Sequence, residues 1–344
     1  MIIYVEQAII DHPRVKGIVQ RHSNSEVVEI AHYGEVFNPS KQHFRTQKQN
    51  PSLILAEKQH QLVHETPSVY ETGGGANYYF SHMLNCLYDC RYCFLQGMFN
   101  SANYLLFVNY EAFVTDIKRI AQQHADDQKP VWFFSGYDCD SLAYEPVSGF
   151  AEHFVPAFAD IPNSVLELRT KSTQVRSLLK RPAQSNVVVA MSLSPQNIVK
   201  TIEIGTPTLE KRLKALSELQ TNGWRIGIRF DPVIWHEEYQ ENYRDLVREV
   251  FARLDPGLID SVTLGGFRVP KTYFKSMLKQ FPREPMFNLG LDEQDGLITY
   301  RADIEHTVLD FVSDLIRPHI DERKLFVYKS DSDASESQVM AING

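Results

Sequence analysis

The stretch Y-Y-F-S-H-M-L-N-C-L-Y-D-C-R-Y-C-F-L-Q, residues 78–96, decides how this chain folds. It opens as an apolar, aromatic run of strand character over 78–84 and passes at once into three cysteines, Cys86, Cys90 and Cys93. Thiols this close cannot all pair as disulfides, because their number is odd and the spans between them are too short. Sulfur is the preferred donor for iron–sulfur clusters and zinc, and a lone C-x2-C would fit either of these or a redox dithiol. The C-x3-C-x2-C spacing, with no second Cys-x2-Cys elsewhere, is more specific. It supplies three ligands, one short of closing a tetrahedral zinc site or a four-cysteine cluster. An open coordination position is what a metal centre built for chemistry keeps. Two blander readings stand beside it: a zinc-stabilised binding module completed by Cys139 or a histidine such as His82, and chance clustering of buried thiols.

Outward from this stretch, short apolar runs alternate with helical patterns. Further strand candidates lie at 131–135, 165–169, 186–193, 224–230 and 260–265, with helix-length segments at 110–123, 147–160, 173–179, 208–221 and 238–254. Pro207-Thr208 ahead of the fourth helix and Asn222-Gly223 behind it are the expected start and stop signals. Such alternation argues for parallel βα units. Six of them make an α/β fold of the TIM type left partly open, a partial (β/α)6 barrel. The cysteine loop then follows strand one, and active-site groups stand at the C-terminal strand ends. Residues 1–72 read as an α+β extension with strands at 2–5, 27–30 and 52–56. Residues 73–270 form the barrel core, 271–328 a capping segment, and the polar, Ser-rich 329–344 a disordered tail.

The strand-end residues are the site candidates. They are Ser135, Gly136, Asp138 and Asp140 after the second strand, and Glu167, Arg169 and Lys171 on and after the third. Ser192 and Ser194 close the fourth, Arg229 and Asp231 the fifth, and His236 follows in a loop. Each has an ordinary reading as a turn residue, a helix cap, a buried bridge or a solvated side chain.

With four cysteines in 344 residues the chain is no disulfide scaffold, and its thiols point to a reducing compartment. Glu6 and Asp11 interrupt the apolar N-terminus, and no stretch approaches the roughly 20 apolar residues of a membrane span. The expectation is a cytoplasmic protein without a membrane partner. A net charge of −8 argues mildly against nucleic acid, since phosphate contacts demand cations. Residues 261–283, however, hold no carboxylate and carry Arg268, Lys271, Lys275, Lys279 and Arg283. The first four fall at the spacing of one helix face, with Phe274, Met277, Leu278 and Phe281 opposite. That stripe is either a phosphate-binding surface for DNA or a solvated helix face.

These residues together resemble the radical S-adenosylmethionine (SAM) superfamily, and within it the spore photoproduct lyase family. The carrying motifs are C-x3-C-x2-C-F-L-Q over 86–96, E-L-R-T-K-S over 167–172, S-L-S-P-Q over 192–196, E-I-G-T-P-T-L-E-K-R-L-K-A-L over 203–216 and F-D-P-V-I over 230–234. The resemblance implies a [4Fe-4S] cluster on Cys86, Cys90 and Cys93, with SAM chelating the fourth iron. It places Phe94 beside the adenine, Ser135 and Gly136 at the methionyl amino group, and Lys171 and Ser192 on SAM. It also implies reductive cleavage of SAM by electrons from a donor such as flavodoxin or ferredoxin. The resulting 5′-deoxyadenosyl radical would abstract hydrogen from a thymine-dimer lesion in DNA and start its reversal. Two departures stand out. Tyr137 occupies the position where the family carries a hydrogen-donating cysteine, with Cys139 two residues on, and Phe94 replaces a tyrosine, while Tyr92 is retained. Cys139, Tyr92 and Tyr137 are therefore the candidates for returning the hydrogen atom. A radical SAM enzyme acting on a non-DNA substrate is the alternative.

Overall fold

The structure is a computed structural model that describes residues 1–67, 75–288 and 290–330. Most of the glycine-rich spacer at 71–77 and the tail from 331 onward lie outside the described residues. Strands β1 (Ile2–Glu6), β2 (Glu26–Ile30), β3 (Leu53–Ala56) and β4 (Val63–Glu65) come first. They are followed by β5 (Asn77–Phe80), β6 (Met83–Leu84), β7 (Asp89–Cys90), β8 (Tyr104–Phe107) and β9 (Val131–Ser135). Next come β10 (Ser164–Thr170), β11 (Val187–Ser192), β12 (Glu203–Ile204), β13 (Arg225–Val233) and β14 (Ile259–Gly266). The last are β15 (Arg268–Pro270), β16 (Leu291–Gln294), β17 (Leu297–Tyr300) and β18 (Leu325–Tyr328).

The main sheet runs β18-β14-β13-β11-β10-β9-β5-β4 and does not close on itself. Every neighbouring pair from β5 to β18 is parallel, and β4 joins antiparallel at the edge. All six expected strands are present. They read as continuous apolar runs because both sheet faces are covered, and every residue of β11 is buried. Helices Tyr110–Gln123, Phe150–Phe158, Leu209–Thr221 and Tyr239–Arg253 follow the strands as crossovers, and Thr208 caps the third by accepting from the Lys211 N–H. β18 is a seventh parallel strand that the sequence reading missed. It is short and only half-buried, so no run of apolar residues announced it.

The extension builds a sheet of its own. Its sheet, β2-β1-β3-β8-β6, pairs β1, β2, β3 and β8 in parallel, with helix Pro13–Arg21 crossing from β1 to β2. It also takes β8 and β6 from the segment assigned to the barrel, so the boundary at 72 divides the sequence but not the packing. The single strand expected over 78–84 is two: β5 belongs to the barrel, and β6 crosses to pair with β8. Of the tail expected from 329, the two described residues are held: Lys329 pairs with Asp310 at 2.8 Å and the Ser330 N–H donates to Glu305 at 2.8 Å.

Candidate active site

The strand ends converge on one cavity. Cys86, Cys90 and Cys93 line it together with Gly136, Lys171 and Ser192. Several elements hold the cysteine loop. β7 pairs antiparallel with β12, setting Cys90 opposite Glu203. From the extension, Arg45 grips Asp89 with two bonds of 2.7 and 2.9 Å, and the Lys48 ammonium donates to the Cys86 carbonyl. Burial pushes the Cys86 thiol up to about 12 and raises Cys90 and Cys93 in the same sense, with nearby Lys48 and Lys171 pulling the other way. Three clustered thiols that resist ionisation alone are a donor set completed by a bound cation. Among the described residues, no three His, Cys, Asp or Glu side chains converge on one point as a single zinc ion demands. A cubane asks no such convergence, because each cysteine binds a different iron. The zinc alternative also lacks its fourth ligand here, since Cys139 Sγ faces His82 Nδ1 at 4.0 Å. His82 itself lies flat on Phe150, with ring centres 3.8 Å apart.

After β9 the backbone turns through Gly136 at φ +83°. A Cβ there would stand 2.6 Å from Ser141 Oγ and 2.8 Å from the Arg169 carbonyl, so only glycine fits. Ser135 Oγ donates to the Glu167 carbonyl at 3.0 Å and meets Ser141 Oγ at 2.8 Å. Asp140 is no ligand carboxylate. It accepts from the Leu142 and Ala143 N–H groups, and at 2.6 Å from both Thr170 Oγ1 and the Lys171 N–H, which fixes where Lys171 leaves β10. Asp138 is buried and accepts from Ser81 Oγ at 2.6 Å.

The charged residues at the strand ends hold one another rather than an open pair of sites. Glu167 is fully buried and binds Arg229 at 2.8 Å and Arg169 at 2.9 Å. Burial alone would raise its carboxyl, but the two guanidinium groups outweigh that and hold it at about 2. Asp231 takes both arms of Arg268 at 2.9 and 3.0 Å. Arg268 therefore belongs to β15 and the barrel interior, not to the expected helical stripe. That helix is Lys271–Gln280, and along it Lys271 pairs with Glu293 at 2.5 Å while Lys275 and Lys279 are exposed. Leu278, expected in the core, is exposed as well. His236 is held by the Ile234 carbonyl, Asn197 and Asn242, which accounts for it without a ligand.

Sequence reasoning missed the pair beneath the cysteine loop. Arg212 and Glu203 are fully buried and meet at 2.5 Å; the Tyr92 hydroxyl donates to Glu203, and Arg212 also donates to the Ser192 carbonyl at 3.0 Å. Its signal was available, because Arg212 falls on the apolar stripe of Leu209, Leu213 and Leu216. Lys171 Nζ stands 5.5 Å from the Tyr92 ring centre. Tyr137 and Phe94 both line the cavity, and Tyr137 stacks on Tyr79 with centres 4.3 Å apart.

An open parallel barrel whose first strand empties into a three-cysteine loop at its C-terminal end is the architecture of a radical SAM enzyme. The family model for spore photoproduct lyase matches residues 1–300, and the chain belongs to that family. The spore photoproduct lyase of Bacillus subtilis (strain 168) is 22% identical over 331 residues, covering 92% of this chain and 94% of that one. The Clostridium acetobutylicum lyase is 21% identical over 258 residues, covering 73% and 74%. A solved spore photoproduct lyase complexed with dinucleoside spore photoproduct matches at TM-score 0.80 and 17% identity, over 95% of this chain and 98% of that one. Another, a variant with bound AdoMet and the same dinucleoside, matches at the same TM-score and identity. At that identity the likeness to the solved structures is a likeness of fold.

Proposed function

We propose that this protein is a radical SAM lyase that reverses a thymine-dimer type of lesion in DNA. The observation that carries the reading is the opening of three thiols onto one cavity at the barrel mouth, beside Lys171, Ser192 and the glycine turn at Gly136. A [4Fe-4S] cluster on Cys86, Cys90 and Cys93 would supply one-electron cleavage of bound SAM to methionine and a 5′-deoxyadenosyl radical. Around it, Lys171 offers an ammonium to a carboxylate, and the Gly136 turn lets a ligand approach the backbone closely. Phe94 offers a flat ring to the adenine. The buried Glu203–Arg212 pair keeps Tyr92 and Ser192 in place under the loop. Hydrogen return falls to Tyr137 or Cys139. Tyr137 and Cys139 both line the cavity; Tyr137 stacks on Tyr79, and Cys139 lies against His82. A flavodoxin- or ferredoxin-like donor and a cytoplasmic setting complete the reading.

The test is anaerobic reconstitution and reduction, followed by assay for 5′-deoxyadenosine with SAM, with and without ultraviolet-damaged DNA. Production that requires the damaged DNA is expected, and a chain that never yields 5′-deoxyadenosine would sink the proposal. A second reading, the same chemistry on a non-DNA substrate, draws on the ion pairs that neutralise Arg268 and Lys271. Production indifferent to DNA would favour it. Cys139→Ala separates the donors: an unchanged product distribution rules Cys139 out.

A further inference from the structure

A second cavity, of about 720 Å³, opens where helix Pro13–Arg21 of the extension meets the segments that follow β9 and β10. Its wall carries four cations, Arg14, Arg21, Arg176 and Lys180, and two carboxylates, Glu145 and Glu152. These charges do not cancel. Glu145 is buried and closes the start of helix Phe150–Phe158, accepting from the Ala151 N–H at 2.8 Å and the Glu152 N–H at 3.1 Å. Arg14 pairs with Glu111 at 3.0 Å. Arg21 donates to the Val147 carbonyl at 2.9 Å, an uncharged partner that ties the extension to the barrel. Among the described residues, no carboxylate oxygen comes within 4.0 Å of the charged nitrogens of Arg21, Arg176 or Lys180. Three exposed cations therefore stand against one exposed carboxylate, Glu152. Two chain segments join this cavity to the one that holds the cysteines. After β9, Asp140 lines the cysteine cavity and Glu145 the second; after β10, Lys171 lines the cysteine cavity and Gln174 the second. Lys171 and Gln174 are three residues apart, so their Cα atoms lie within about 11 Å of each other. That is about three nucleotides of a stacked strand, at about 3.4 Å per phosphate.

We propose that this second cavity is a phosphate groove for the DNA strand beside the lesion, with Arg21, Arg176 and Lys180 as its phosphate contacts. The inference rests on the functional reading above and gives the extension a share in substrate binding. Continuity with the cysteine cavity favours a strand over a free anion. A nucleotide held in one cavity sets the phosphates of its neighbours at the other. Contacts to phosphate position a strand without reading its bases, so the groove takes flanking DNA of any sequence.

The test is equilibrium binding of a labelled, ultraviolet-damaged single-stranded oligonucleotide to the anaerobically reconstituted protein, read by fluorescence anisotropy across a salt series. Each phosphate contact on a single strand adds about 0.7 to the slope of log affinity against log salt. Arg176→Gln combined with Lys180→Gln should therefore flatten the slope by about 1.4. That is an affinity loss of about 25-fold at about 0.1 M salt, vanishing near 1 M. Each single variant, Arg21→Gln included, should flatten it by about 0.7, so the groove stays testable if the double variant folds poorly. Lys275→Gln with Lys279→Gln, on the exposed face of helix Lys271–Gln280, should keep the wild-type slope. A wild-type slope in Arg21→Gln, Arg176→Gln and Lys180→Gln alike overturns the groove, and so does a flattening found only in the Lys275 and Lys279 pair. Wild-type protein that binds no oligonucleotide overturns the functional reading beneath it, and the groove with it.

Discussion

Replacing Glu167 by glutamine removes one charge from the centre of the barrel and leaves two guanidinium groups facing it. The carboxyl is held at about 2 in the folded protein, against an ordinary 4.5, by Arg229 and Arg169 overcoming the cost of burial. At about 1.36 kcal/mol per tenfold change in proton affinity, the gap is worth about 3 kcal/mol at neutral pH. The sign follows from the direction of the shift. On acidification the unfolded chain takes up its proton first, near 4.5, so this stabilisation is complete above that pH and is lost as pH falls toward 2. Glu167→Gln should cost about 3–5 kcal/mol at neutral pH, because Arg229 is left buried without its counter-charge. Urea unfolding of the metal-free protein, followed by far-ultraviolet circular dichroism across a pH series, measures both curves. Asp231, also held low against burial chiefly by Arg268, keeps that partner in the variant, so the difference between the curves reports chiefly on Glu167. That difference should shrink steadily below pH 4.5. A difference as large at pH 3 as at pH 7 would show that the guanidinium pair does not set the Glu167 proton affinity, and the reasoning would fail.

Two more predictions concern the supports of the site. Arg212→Met should cost about 3–5 kcal/mol by stranding Glu203, and adding Glu203→Gln should restore about 1–3 kcal/mol of it in a double-mutant cycle; costs that simply add would refute the coupling. Gly97→Ala should lower stability by about 1–3 kcal/mol and expose helix Lys271–Gln280 to limited proteolysis, since the new methyl must displace the Tyr273 carbonyl. An unchanged urea midpoint would mean that the helix slides aside at no cost.

What was legible in the sequence is what depends on local order. Parallel strands buried on both faces write themselves as unbroken apolar runs, and three thiols within eight residues need no fold to bring them together. The helical stripe misled because Pro270 stands directly before the helix, so Arg268 lies outside it and its spacing to Lys271 carries no facial meaning. The absence of carboxylates from 261–283 misled for a related reason. Asp231 and Glu293, the partners of Arg268 and Lys271, lie outside that window and are brought up only by the tertiary fold. The Glu167–Arg229 bridge likewise joins residues far apart in the chain. Only Arg212 left a local trace, as a cation on an apolar stripe.

The two departures from the family pattern take on a second meaning in this light. Read as sequence, Phe94 and Tyr137 are lost or altered hydrogen donors. In the fold both line the same cavity with their ring centres 5.6 Å apart, so a change at either alters shape and chemistry together. Tyr137→Phe keeps the ring against Tyr79 and removes only the hydroxyl, whereas Tyr137→Leu removes both. Cys139 offers the complementary case, because it lines the same cavity but lies against His82. If hydrogen return uses the phenol, Tyr137→Phe must alter the product distribution while leaving the ring contact with Tyr79 intact. If it uses the thiol, Cys139→Ala must do so instead. The structure separates stacking from hydrogen donation at these positions, which the sequence could not.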